Sequence, residues 1–113
     1  MDAVGGLWCV NLGYSNDTIK EDITRQLYDL QYYSSFAGTT NAMAIEASYM
    51  VRNLFTEDGM SRVFFTSGGS DSVDTCLRLA RQYHRLKGEP TRTKFISLKK
   101  GYHGTHFLSL IHI

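Results

Sequence analysis

Phe64-Phe65-Thr66-Ser67-Gly68-Gly69-Ser70-Asp71 is the stretch that decides the fold of this 113-residue chain. With Arg62 and Val63 before it, the stretch begins as a short β-branched and aromatic run that is typical of a strand. A glycine-bearing turn follows, and the next residues predict a helix from about 71 to 87. A second run of the buried-strand type, Lys94-Phe95-Ile96-Ser97-Leu98, comes after that helix.

The order strand, helix, strand predicts a parallel pair of strands joined by a right-handed crossover. Two strands and one crossover cannot cover both faces of a parallel sheet. The sequence therefore predicts an α/β fold that is incomplete, as part of a larger domain.

The first half of the chain predicts two helices. Asn16 or Asp17 can cap the first, which runs from about Thr18 to Leu30 with an apolar face at spacings of four, four and three. Thr39, Thr40 or Asn41 can cap the second, over about residues 42–55. Before them, residues 6–10 are interpreted as a short strand or an extended segment.

Composition places the chain among globular proteins and excludes several functions. Apolar residues make up 42% and charged residues 20%, and the net charge is +1, so we expect no nucleic-acid or anionic-membrane partner. No apolar run approaches the ~20 residues of a membrane span, and the N-terminus lacks a signal-peptide pattern. Cys9 and Cys76 are expected to be reduced and half-buried, which indicates a cytoplasmic protein. No spacing of ligand residues predicts a metal site.

The turn at residues 67–70 is a candidate phosphate site. The first N–H groups of a helix have no internal partner and carry partial positive charge, and glycines let an anion approach them closely. The alternative is a tight turn in which Ser70 caps the helix. Asp71 works mildly against an anion, so backbone geometry would have to dominate.

Three aromatic segments are further candidates. Gly101-Tyr102-His103-Gly104 follows the second predicted strand, where open parallel sheets bind ligands, and its alternative is an ordinary surface loop. Trp8 is either a core residue or part of a pocket, and the cluster at residues 32–36 is either a packed loop or a pocket wall.

In this order, the motifs resemble those of the class III (ω-type) aminotransferases, and most closely the ω-amino acid–pyruvate group. The resemblance extends over about residues 2–107. It rests on these segments of the sequence: Gly6–Tyr14, Tyr32–Phe36, Phe64–Thr75, Leu77–Arg81, Gly88–Thr93 and Gly101–Gly104.

The resemblance implies a three-layer α/β/α large domain of fold type I, pyridoxal 5′-phosphate as cofactor, and a homodimer with its active site at the interface. It implies amino-group transfer from an amine or ω-amino acid to a keto acid. It also assigns roles to residues: Gly68, Gly69 and Ser70 bind the cofactor phosphate, Tyr102 stacks on its ring, and Trp8 and Tyr33 contribute to the substrate pocket.

The resemblance also shows departures. The family's turn usually reads Asn-Ser-Gly-Ser-Glu-Ala-Asn, where this chain has Ser67-Gly68-Gly69-Ser70-Asp71-Ser72-Val73. The family's Schiff-base lysine lies well after Tyr-His-Gly, so we expect an N-terminal fragment without catalytic activity. Its expected parts are the helices of residues 1–55, the start of the cofactor-binding domain at 56–107, and a non-native tail at 108–113.

Two other hypotheses stay open from the sequence. One is a small α/β module that binds a phosphate-bearing ligand without chemistry. The other is a dimerising fragment without a ligand, because helix faces left uncovered favour self-association.

Overall fold

The computed structural model describes residues 1–106, and the expected tail at 108–113 lies outside them. The described part of the chain contains four helices and no strand. The helices are α1 (Gly5–Trp8), α2 (Asp17–Leu30), α3 (Ala42–Asn53) and α4 (Gly69–Leu86). Two compact units divide the chain: Met1–Ser61 holds the first three helices, and the unit from Arg62 onward holds α4.

The two predicted strands at residues 62–65 and 94–98 are wrong for this chain. Neither forms a strand, and no backbone hydrogen bond joins the two segments. A strand needs a neighbour that accepts and donates along its length, and residue composition alone does not supply one. The three-layer α/β architecture is therefore not confirmed by the described residues.

The short strand or extended segment predicted at residues 6–10 is also wrong, because α1 is a single left-handed turn. All four of its residues have positive φ, from 58° at Gly5 to 66° at Trp8. Glycine adopts this conformation freely, but a side chain costs roughly 1–2 kcal/mol there. Leu7 and Trp8 therefore hold strained backbone that neighbouring contacts must offset.

Asp2 supplies those contacts. Its carboxylate accepts from the Val4 N–H at 2.9 Å, and it also accepts from the Gly6 N–H and the Tyr14 hydroxyl. The Tyr14 bond and the Gly6 bond lower the pKa of Asp2 below its ordinary 3.8. The same bond to Asp2 raises the pKa of Tyr14 above its ordinary 10.0.

Exchanging Asp2 for Asn tests this network through its pH dependence. Because the pKa of Asp2 is lowered in the folded turn, its carboxylate stabilises the turn above pH 3.8, and this stabilisation is lost as pH falls through the lowered pKa. Because the pKa of Tyr14 is raised, its neutral phenol stabilises the turn below pH 10.0, and this stabilisation is lost as pH rises through the raised pKa. We expect Asp2→Asn to lower the Tyr14 pKa toward its ordinary 10.0, measured by NMR titration of labelled tyrosine.

Tyr14→Phe is the reciprocal control. It removes the largest cause of the lowered Asp2 pKa, so the carboxyl is expected to titrate closer to 3.8. Unchanged titrations in both variants would show that the two side chains do not interact in solution.

The helix α3 begins at the predicted residue, and α2 begins one residue earlier than predicted, at Asp17. The Asn16 side chain accepts from the Ile19 N–H at 3.1 Å, and the Asn41 side chain accepts from the Ala44 N–H at 2.9 Å. Each bond satisfies one free N–H of the first turn, which is why Asn is favoured at this position. The predicted end of α3 at residue 55 is two residues too late, because the helix ends at Asn53.

The helix α4 starts two residues earlier than predicted and ends on a glycine motif. Gly68 is its N-cap, so Ser70 lies inside the first turn and does not cap the helix. At the other end, Gly88 has φ 83° and its N–H donates to the Arg85 carbonyl at 3.1 Å. The Glu89 N–H donates to the His84 carbonyl at 2.9 Å, which completes a Schellman motif.

Hydrophobic side chains pack little within the described residues. None is buried, and among side chains with polar or charged groups only Asp74 is, at 8% exposure. The apolar residues of α4 form two adjacent stripes, one with Val73 and Leu77 and one with Leu79 and Tyr83, a pattern that predicts a wide buried face. The first stripe is half-buried and the second is exposed, so this prediction is wrong for the described residues.

Cys9 and Cys76 are free and exposed, so the expectation of half-burial is wrong. Among residues 1–106, no helix has the length and apolar character that crossing a bilayer requires.

Candidate functional site

A cleft of about 310 Å³ lies beside the first turn of α4. Helix α4 and the loop at residues 101–106 both contribute to it, and both belong to the second unit. The cleft is lined by Gly69, Ser70, Val73, Tyr102, His103 and Gly104.

The turn before α4 is held by hydroxyl groups around the Gly68 carbonyl. That carbonyl accepts from the Ser72 N–H at 3.0 Å, and from the hydroxyls of Ser72 and Thr66, each at 3.1 Å. The two hydroxyls also lie 2.5 Å from each other. All of the bonds to Gly68 are accepted by its carbonyl oxygen. The N–H groups of Gly69 and Ser70 have no partner in residues 1–106.

The loop at residues 101–106 is attached to the same turn. The Thr105 N–H donates to Ser70 Oγ at 3.0 Å. His106 Nε2 lies 2.9 Å from one carboxylate oxygen of Asp71, and the other oxygen accepts from the Ser67 hydroxyl. In this structure the Ser70 oxygen is therefore an acceptor for the loop.

His103 lines the cleft and lies against Gly101. Its Nε2 is buried and has no hydrogen-bond partner among the described residues. A Cβ at position 101 would lie 2.7 Å from that nitrogen and 3.1 Å from the Leu98 carbonyl oxygen. Glycine is therefore needed at position 101 for the imidazole to occupy its place.

Gly101→Ala is expected to displace the His103 ring and cost about 1–3 kcal/mol, in the range of overpacked sites. We expect the NMR resonances of the His103 ring to shift. Gly69→Ala is the matched control, because nothing lies within 4 Å of a Cβ there. Equal perturbation of His103 by both variants would contradict the close approach of His103 to Gly101.

The structure brings together three of the predicted cofactor-binding residues. Gly69, Ser70 and Tyr102 line one cleft, whereas Gly68 does not line it and acts as the N-cap. The two predicted substrate residues lie in the first unit: Trp8 is 83% exposed and Tyr33 is 50% exposed.

Sequence reasoning missed the attachment of the loop to α4. Thr105 and His106 directly follow the Tyr-His-Gly segment, and two polar side chains at that position were the available signal. Their partners lie 35 positions earlier, a separation that no local pattern reports.

The arrangement suits a ligand that carries both a phosphate and a flat ring. Unpartnered N–H groups at a helix N-terminus bind an anion, and the exposed Tyr102 ring, at 79% exposure, offers a stacking face in the same cleft. No group of acidic, His or Cys side chains in residues 1–106 could hold a metal ion.

The chain belongs to the class III aminotransferases, whose family model matches residues 1–112. This match confirms the resemblance and does not favour an unrelated phosphate-binding module. The family consists of pyridoxal-phosphate-dependent aminotransferases.

Relatives and solved structures agree with the family. The chain is 39% identical over 107 residues to an omega-aminotransferase of Caulobacter vibrioides, covering 95% of this chain and 24% of the relative. It is 39% identical to a putrescine–pyruvate aminotransferase of Pseudomonas aeruginosa, covering 93% and 23%. A PLP-bound amine transaminase from an uncultivated Pseudomonas species superposes with a TM-score of 0.88 at 45% identity, covering 94% of this chain and 24% of that one. The chain thus spans about a quarter of these proteins.

The residues of the cleft fit pyridoxal 5′-phosphate. The open space at Gly69 lets a phosphate approach the helix N-terminus, and the Tyr102 ring is exposed toward solvent. His103 also lines the cleft, while its Nε2 is buried.

Proposed function

We propose that this chain is the phosphate-binding part of a transaminase. The complete enzyme would transfer an amino group from an amine or ω-amino acid to a keto acid such as pyruvate. The observation that supports this most directly is the single cleft that joins the first turn of α4 to Tyr102 in a class III chain. The names of the relatives support the substrate classes.

Each cleft residue has a binding role in this proposal. The N–H groups of Gly69 and Ser70 donate to the phosphate, and the partial positive charge of the helix end adds attraction. The Tyr102 ring stacks on the pyridine ring and fixes its plane. When bound, the cofactor supplies the electron sink for amino transfer, and the protein supplies orientation.

The proposal extends to residues and partners outside the cleft. Trp8 and Tyr33 are exposed in the first unit and would contribute to the substrate pocket. A homodimer would complete the active site, in a large domain of fold type I. The net charge of +1 and the two free cysteines support a cytoplasmic protein with no nucleic-acid or membrane partner.

The 113-residue chain by itself is proposed to bind the cofactor without catalysis. Lysine occurs at positions 20, 87, 94, 99 and 100. None of the five lines the described cleft, so no amine there is in place for a covalent bond to the cofactor.

The test is to mix the chain with pyridoxal 5′-phosphate, reduce with borohydride and measure the intact mass. We expect unchanged mass, no turnover of an amine with pyruvate, and reversible binding that inorganic phosphate displaces. A stoichiometric adduct on one lysine would contradict the inactive part of the proposal. Absence of any competition by phosphate would contradict the site.

A further inference from the structure

Two consecutive loop residues contact two consecutive residues of α4. The Thr105 N–H donates to Ser70 Oγ at 3.0 Å, and His106 Nε2 lies 2.9 Å from Asp71 Oδ1. We call these two contacts the loop anchor. Both partners of each contact belong to the second unit.

The loop anchor limits where the Tyr102 ring can lie. Only two residues separate Tyr102 from Thr105, and a chain extends at most about 3.6 Å per residue. The intervening Gly104 is buried and lines the cleft. The anchor therefore holds the Cα of Tyr102 within roughly 11 Å of the Cα of Thr105, the residue that is bonded to the first turn of α4.

The loop anchor also controls the Asp71 carboxylate. An acidic side chain at the third position of a helix often folds back onto the N–H of the N-cap residue. Here one oxygen of Asp71 pairs with His106 and the other accepts from Ser67. Both oxygens of Asp71 therefore have side-chain partners, and one of these partners lies in the loop.

We propose that Thr105 and His106 are positioning residues that tie the ring-stacking loop to the phosphate-binding turn. The inference rests on the proposed function for the identity of the ligand. The loop anchor itself is a property of the chain without ligand. Its consequence is a preference for ligands that carry ring and phosphate together, since one rigid site binds both parts at once.

Amide hydrogen exchange of the ligand-free 113-residue chain tests the loop anchor. The Thr105 N–H is expected to be protected, and Ser70→Ala is expected to speed its exchange about tenfold by removing the acceptor. Thr105→Ala keeps the N–H and the Ser70 acceptor, so protection at position 105 is expected to persist.

His106 variants test the second contact. His106→Leu cannot donate to Asp71 and is expected to speed exchange at position 105. His106→Gln is the matched rescue, because its side-chain amide can still donate to the carboxylate. An unprotected N–H at 105 in the unsubstituted chain, or equal exchange in the Leu and Gln variants, would overturn the proposal.

Ligand affinity separates this inference from the proposed function. We expect His106→Leu to weaken pyridoxal 5′-phosphate binding about tenfold and inorganic phosphate binding about twofold. The variant loosens the connection between the ring-stacking loop and the phosphate-binding turn, and pyridoxal 5′-phosphate uses both whereas inorganic phosphate uses the turn alone. Equal losses for both ligands would overturn the positioning role. A protected loop in a chain that binds neither ligand would contradict the proposed function and leave the loop anchor in place.

Discussion

Gly69→Asp is expected to lower the affinity of the chain for pyridoxal 5′-phosphate about a hundredfold. A carboxylate at position 69 would lie beside the N–H groups proposed to bind the phosphate. At about 4 Å and an effective dielectric constant near 20, two unit charges repel by roughly 4 kcal/mol. Partial exposure reduces that figure, and a hundredfold loss corresponds to about 2.7 kcal/mol. Equilibrium dialysis against the cofactor measures it.

Gly69→Ala is the control for this prediction. Its φ is not in the left-handed region, and a Cβ there would meet nothing within 4 Å. The alanine variant should therefore keep the turn and lose less affinity than the aspartate variant, because it adds a Cβ without a negative charge. If the aspartate variant bound as tightly as the alanine variant, the phosphate would lie elsewhere.

Self-association of the isolated chain is the second large effect. No hydrophobic side chain in the described residues is buried, and on α2 Ile23 and Leu27 are 56% and 57% exposed. Exposed apolar surface on this scale favours association. We expect sedimentation velocity to show a mass that rises with concentration.

Leu27→Glu is expected to reduce that association while the helical circular dichroism stays. Arg25→Gln on the polar face is the matched control, because it changes the net charge by the same one unit. It removes only the exposed Arg25–Asp22 ion pair, with its 2.7 Å contact, a kind of pair that contributes about 0–1 kcal/mol. A monomer at all concentrations, or equal effects of the two variants, would contradict the prediction.

The ends of the helices are features that local sequence can predict. Asn16 and Asn41 each satisfy a free N–H three residues on, and both caps were among the predicted ones. The end of α4 at a glycine with positive φ is likewise a local property of the residues there. These features depend on neighbours within about five positions, which is why sequence patterns report them.

The incorrectly predicted strands are features that local sequence cannot predict. The runs at residues 62–65 and 94–98 have strand composition, yet no backbone bond joins them. The left-handed α1 depends on Asp2 and Tyr14, which meet across 12 positions. Residue preferences contain no information about such a partner.

The same distinction holds for the candidate site. The sequence alone indicated the class III resemblance, and it predicted the glycine turn as a phosphate site and Tyr102 as a ring-stacking residue. Only the tertiary structure placed Tyr102 in one cleft with Gly69, made Ser70 an acceptor for the loop, and paired His106 with Asp71. The physical reason is that a helix N-terminus offers its N–H groups wherever it forms, whereas contacts across 35 positions exist only after the chain has folded.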